Sequence, residues 1–233
     1  MSLIITVYVN DGIIMAADRR TTFTFSDPST GKEIIHLKDS TDKLFMCPNG
    51  AGIAACGTGS VNEKPIAYYI REMIRTNITP NCSVKDMPRI CIDYFNKLSP
   101  SGLNTILHIA GYDMEDGIAA PYACRVMLED GTVKAMDTTM QGASWNGETA
   151  IMRRLMKDVA LKNPDGSYTD MPSSSVLFEY FTLQDAVDFA RYAVETTANT
   201  MHFLRAVETV GNVADVLVIT PDDTEWLQKE ALH

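Results

Sequence analysis

The feature that most constrains this chain is its opening. Two apolar, β-branched runs, Leu3 to Val9 and Ile13 to Ala17, are separated by Asn10-Asp11-Gly12. Asp11-Gly12 supplies the positive-φ positions of a tight turn, so the segment predicts an antiparallel hairpin. Neither run alternates between apolar and polar residues, which is the pattern of strands covered on both faces. The second strand ends by delivering Asp18, and the first begins at Ser2.

Ser2 matters chemically once the initiator Met1 is removed, as is usual when the second residue is small. It would then carry a hydroxyl and a free α-amine on one residue. An α-amine has a reference pKa of about 7.7 to 8, so near neutral pH part of it is unprotonated and can accept the hydroxyl proton.

The 233 residues are enough for one large domain, and the expectation is a single domain over 1–233. With 20 Lys+Arg against 30 Asp+Glu the net charge is -10, which argues against nucleic acid and anionic membrane as partners. The apolar runs are strand-sized and no basic segment precedes a longer one, so a cytoplasmic location is expected. The five cysteines, Cys47, Cys56, Cys82, Cys91 and Cys124, form no C-x-x-C pair and mostly lie in apolar surroundings. They suggest buried thiols rather than disulfides or a zinc site.

Further strands are expected at Lys32 to Leu37, Lys43 to Met46 and Ala51 to Cys56, the last made of small residues and ending in Gly57-Thr58-Gly59. Two helices follow, with Ser60/Glu63 and Ser83/Asp86 as capping pairs. Ile66, Tyr69, Ile70, Met73 and Ile74 keep helical spacing in the first, as do Val84, Met87, Cys91, Tyr94, Phe95 and Leu98 in the second. Strands at Thr105 to Tyr112, Ile118 to Met127 and Thr132 to Met136 turn at Asp116-Gly117 and Asp130-Gly131. A third helix is expected from Gly147 to Leu161, a fourth from Thr182 with Asp185 as its box partner, and a last buried strand at Val213 to Ile219. Strands joined by hairpins and segregated from helices predict an α+β fold. The expected form is a four-layer αββα sandwich, two stacked antiparallel sheets with helices on both outer faces.

The segment Gly12 to Thr22, GIIMAADRRTT, resembles the opening signature of the proteasome β-subunit family of N-terminal-nucleophile hydrolases, including its bacterial relatives. Counting back from Gly12 and Asp18 places Ser2 where that family keeps its catalytic threonine. Lys43-Leu44-Phe45 matches the strand presenting the catalytic lysine, and counting on without a gap puts Gly57 at the oxyanion-hole glycine. Thr22 matches a position whose backbone pairs with an extended peptide. Val210 to Leu217 resembles, more loosely, the loop and strand after the last core helix. The supporting groups that steady the N-terminal amine correspond to Glu208, Thr209 and Ser144. Serine in place of threonine keeps hydroxyl and amine but lacks the orienting methyl.

The resemblance implies amide-bond hydrolysis by Ser2, threonine-peptidase-like, with Lys43 as a nearby cation fixed by Asp18 and the Gly57 N–H aimed at the oxyanion. It implies a peptide or other amide substrate, a homo-oligomer built as a ring or stacked rings, and neither metal nor cofactor. Two other readings stand beside it: a non-catalytic, ring-forming structural subunit of the same fold, and a small-molecule amidase or acylase. His36, His108 and His202 lack ligand spacing and are read as structural or solvated.

Overall fold

The computed structural model describes residues 2–99, 101–172 and 174–229. The N-terminal quarter contains β1 (Leu3–Val9), β2 (Gly12–Asp18), β3 (Thr21–Ser26), β4 (Glu33–Lys38), β5 (Leu44–Met46) and β6 (Gly52–Gly57). Short strands β7 (Ser60–Val61) and β8 (Lys64–Pro65) precede α1 (Ile66–Asn77), and a 3-10 turn at Val84–Asp86 leads into α2 (Met87–Leu98). Then come β9 (Thr105–Glu115), β10 (Ile118–Met127), β11 (Thr132–Ala135), β12 (Gly142–Gly147) and α3 (Ala150–Met156). The chain continues through β13 (Ala160–Lys162), β14 (Tyr168–Asp170), α4 (Leu183–His202), β15 (Ala214–Ile219) and β16 (Thr224–Gln228).

This is a mixed α/β structure dominated by antiparallel sheets. One five-stranded sheet has the order β12-β1-β2-β15-β16 and the other β11-β10-β9-β6-β5, with every neighbouring pair antiparallel. The opening hairpin therefore lies inside the first sheet, which is why both its strands are apolar on both faces. The period-two rule sorts the side chains. Leu3, Ile5 and Val7 of β1 pack with Ala190 and Val194 of α4, while Ile4 of β1 and Ile13 and Met15 of β2 meet Leu44, Ala54 and Ala110 of the second sheet. The opposite face of that second sheet, through Ile53, Leu107 and Val126, packs on Ile70 and Met73 of α1 and on Cys91 and Phe95 of α2. Each such fully buried aliphatic or aromatic side chain contributes roughly 1.5–3 kcal/mol.

Where the elements differ from expectation, local chemistry explains it. Ser60 and Glu63 do not cap a helix; Asn62 and Glu63 take positive φ (46° and 62°) in the β7–β8 turn, and α1 starts only after Pro65. Ser83 does accept from the Lys85 N–H, but the remaining donors at Val84 and Lys85 are taken by the Asp113 carboxylate from β9, not by Asp86. The helix expected to reach Leu161 stops at Met156, and β13 and β14 form a small exposed hairpin instead. Thr182 and Asp185 form the predicted reciprocal capping box of α4. Strands β12 and β16 were not anticipated, the former because its residues, GASWNG, carry little β-propensity of their own. Among the described residues no helix is long and apolar enough to cross a membrane.

Candidate active site

The site forms where β1, β2, β5 and β6 converge. Asp18, at the end of β2, is fully buried and its carboxylate is saturated by donors. Oδ1 accepts from the Leu3 N–H at 2.9 Å and Oδ2 from the Arg20 N–H at 2.9 Å and the Gly211 N–H at 3.0 Å. Lys43 Nζ lies 2.9 Å from both oxygens and also donates to the Arg20 carbonyl. Lys43 is 6% exposed, and it is held in place from the other side because its carbonyl accepts the Ala55 N–H at 2.8 Å. Burial pushes the Lys43 pKa below its ordinary value, while Asp18 pulls in the opposite direction.

A second set of charges, Arg19 and Asp215 buried and Asp42 and Lys229 half-buried, flanks this pair. Arg19 reaches Asp42 at 2.8 Å and Asp215 at 2.9 Å, and Lys229 bridges the same two carboxylates at 3.1 and 2.7 Å. Asp42 immediately precedes Lys43, so strands β2 and β15 and the segment after β16 jointly anchor the chain that presents the lysine. Alternation again decides the geometry: Asp18 and Arg19, adjacent in sequence, serve separate networks.

Ser2 is also buried, at 7% exposure, and lines a small cavity of about 70 Å³ together with Lys43, Thr22, Gly57 and an apolar floor of Ile66 and Ile70. The Ser2 carbonyl accepts the Glu148 N–H at 2.7 Å. Gly147, paired opposite Leu3, passes so close that a Cβ there would sit 1.8 Å from the Ser2 carbonyl oxygen. Gly57 has φ +118°, and a Cβ at that position would lie 2.2 Å from the Asn104 carbonyl oxygen. Both positions admit only glycine, for conformational and steric reasons together. Met1, on whose removal a free Ser2 amine depends, lies outside the described residues.

The structure thus brings Ser2, Thr22, Lys43 and Gly57 around one cavity, with Asp18 buried behind Lys43, and leaves three sequence candidates apart from it. Glu208 accepts from Arg20 at 3.0 Å and pairs with His202 at 3.0 Å; both partners hold its carboxyl below the usual range. Thr209 Oγ1 is directed at Met201 Sδ, 3.9 Å away. Ser144 sits in β12 opposite Thr6, two residues along the strand from Asn146. Gly147 was read as the start of a helix rather than as a neighbour of Ser2; only the β1–β12 pairing, which sets Leu3 opposite Gly147 far along the chain, puts it there. No cluster of three or more His, Cys, Asp or Glu with metal-binding geometry occurs among the described residues.

No protein-family model matches the chain, and no curated protein matches it. Solved structures do. Anbu (ancestral beta-subunit) from Yersinia bercovieri is 15% identical with a TM-score of 0.57, over 98% of this chain and 88% of that one. An Anbu (Gly-1) mutant from Hyphomicrobium sp. strain MC1 is 14% identical with a TM-score of 0.60, over 99% of this chain and 86% of that one. The chain shares its fold with Anbu proteins. At these identities the likeness speaks for the fold alone. It also corrects the placement suggested by residues 12–22: Anbu proteins are proteasome-like but form a family distinct from the proteasome β-subunits, so assignment to the β-subunit family does not stand.

Proposed function

We propose that this protein is an N-terminal-nucleophile amide hydrolase in which Ser2, exposed as the N-terminus by removal of Met1, attacks the substrate carbonyl. The observation that carries the reading is the convergence on one cavity of Ser2, Gly57 and Lys43, the last held from behind by the buried Asp18 carboxylate. The Ser2 hydroxyl proton passes to the neutral α-amine, directly or through a water, as Oγ bonds the carbonyl carbon. The oxyanion is stabilised by the Gly57 N–H, worth about 3 kcal/mol for a well-aimed donor, and by the Lys43 cation. Collapse breaks the C–N bond as the ammonium returns a proton to the departing amine, and water then cleaves the Ser2 ester. Asp18 keeps Lys43 charged against its burial and fixes its direction. The preferred substrates are peptides, with Thr22 pairing along the extended chain.

The architecture that serves this chemistry is a single-domain, four-layer αββα sandwich, working as a cytoplasmic homo-oligomer. Support for assembly comes from the β3–β4 hairpin, whose Phe25 and Ile34 are 54% and 53% exposed on a two-stranded ribbon that is marginal unaided. A non-catalytic structural subunit is the second reading. It is favoured by Glu208 and Thr209, which are engaged elsewhere and leave the Ser2 amine without an acidic or hydroxyl neighbour from that loop.

Intact-mass spectrometry with an electrophile directed at N-terminal hydroxyl nucleophiles decides between them. Loss of Met1 with one adduct, absent in Ser2→Ala, supports the hydrolase; retained Met1 or no adduct supports the structural subunit.

A further inference from the structure

Two hollows meet at Ser2, and only the smaller enters the chemistry above. The second, about 460 Å³, shares Ser2, Cys56, Gly57 and Thr58 with the first and extends toward Asn146, Thr149 and Arg153. A leaving group must depart while the acyl group stays bonded to the enzyme. The wider hollow suits the departing portion, and the small one with its floor of Ile66 and Ile70 suits the acyl side chain.

The wider hollow has a mixed lining in which Asn146, Thr149 and Arg153 carry side-chain donors beside the apolar Ile106. No Asp or Glu lines it, although the chain has a net charge of -10. Arg153 is exposed, and among the described residues it has no ion-pair partner, unlike Arg19, Arg20 and Lys43. Asn146 is oriented from behind. Its Oδ1 faces His108 Nε2 at 2.8 Å, and His108 Nδ1 faces Thr6 Oγ1 at 2.9 Å. An amide oxygen only accepts, so Nε2 must carry the proton and Nδ1 must accept from the Thr6 hydroxyl. Thr6 and His108 are fully buried, and burial holds the imidazole neutral near pH 7, with a pKa lowered to about 4. The chain Thr6→His108→Asn146 spans the two sheets and leaves the Asn146 Nδ2–H₂ group to serve the hollow.

We propose that this second hollow is a leaving-group subsite that selects amide substrates whose departing amine bears a carboxylate, received by Arg153 and the Asn146 amide. Arg153 supplies charge and a planar fork, and Asn146 supplies a donor of fixed direction. The chemical class this favours is peptides cleaved close to a free C-terminus, or beside an acidic residue. The inference rests on the amide-hydrolase reading for its purpose, but its binding test does not need turnover.

The probe is dialanine, a minimal departing product, compared with its C-terminal amide by calorimetric titration of the intact protein. Dialanine should bind about fivefold more tightly, the scale of one exposed charge pair reinforced by a hydrogen bond. Arg153→Met, a surface change that leaves the fold undisturbed, should erase the preference. Asn146→Asp, which preserves shape and still accepts from His108, should erase or invert it. Equal affinity for acid and amide, no saturable binding of dialanine, or a preference surviving both variants would overturn the proposal. Acid preference without a Ser2 adduct would retain the subsite and remove the hydrolase; an adduct without acid preference would do the reverse.

Discussion

Lys43 Nζ lies 2.9 Å from both carboxylate oxygens of Asp18, in a pocket where the aspartate is fully buried and the lysine nearly so. The two charges are not equally provided for. Asp18 has three backbone N–H donors besides the lysine, whereas the ammonium has one carbonyl besides the aspartate. Removing the anion is therefore the more damaging change. Asp18→Asn should cost about 3–5 kcal/mol, as an uncompensated buried charge does, and Lys43→Met clearly less. Thermal or urea unfolding of the pair measures the asymmetry, and equal losses would contradict it.

Ser2→Ala should leave unfolding free energy within about 1 kcal/mol of the parent, because among the described residues the Ser2 hydroxyl has no hydrogen-bond partner and the change is small. Amide hydrolysis should fall by about 10³ or more, as loss of a nucleophile generally does. Ser2→Thr should retain hydrolysis, since hydroxyl and amine both persist. Single-turnover assays of the three proteins, with Met1 removal verified by mass, check this.

At Gly147 the constraint is the carbonyl of Ser2 itself, 1.8 Å from where a Cβ would stand, at φ +96°. Gly147→Ala must push Ser2 aside. A displacement of even 1 Å at a reacting group costs about 10² in rate, so activity should fall by that order with a measurable stability loss. Gly166→Ala, also at positive φ but with open space around it, is the control: it should cost some stability and no activity.

His108 makes stability depend on acid. Its folded pKa is about 4 because burial disfavours the cation, against 6.5 when unfolded. Above pH 6.5 both states are neutral and the group has no effect. As pH falls from 6.5 toward 4 the unfolded chain takes up the proton and the folded one does not, so stability is lost across that window and levels off below it. The difference between 6.5 and about 4, at about 1.4 kcal/mol per tenfold in proton affinity, amounts to about 3 kcal/mol. Urea unfolding between pH 7 and 4 should show this slope, and His108→Gln should flatten it whatever it does to stability at pH 7.

The sequence by itself determined whatever depends on neighbours along the chain. The Asp11-Gly12 hairpin, the period-two and helical stripes, and the Thr182/Asp185 capping box are local, and the antiparallel sheets followed from the hairpins that link the strands. The grouping of Asp18, Lys43 and Gly57 was implied only by the resemblance of their spacing to a known family, and it depends on sheet packing, because Asp18 ends a strand of one sheet whereas Lys43 and Gly57 border strands of the other. The Ser60/Glu63 pair shows the limit of such reasoning: a capping pattern without the helix that needs it becomes a turn. Only the tertiary structure decided what depends on partners far apart. Strand β12, which has weak propensity, exists because β1 offers it an edge, and that pairing brings Gly147 to Ser2 and Asn146 to His108. The same long-range packing sent Glu208 to Arg20 and His202, and Thr209 to Met201, where counting along the chain had suggested support for the Ser2 amine. Neither outcome is written in local spacing, since each depends on which strand edge and which charge the folded chain leaves open.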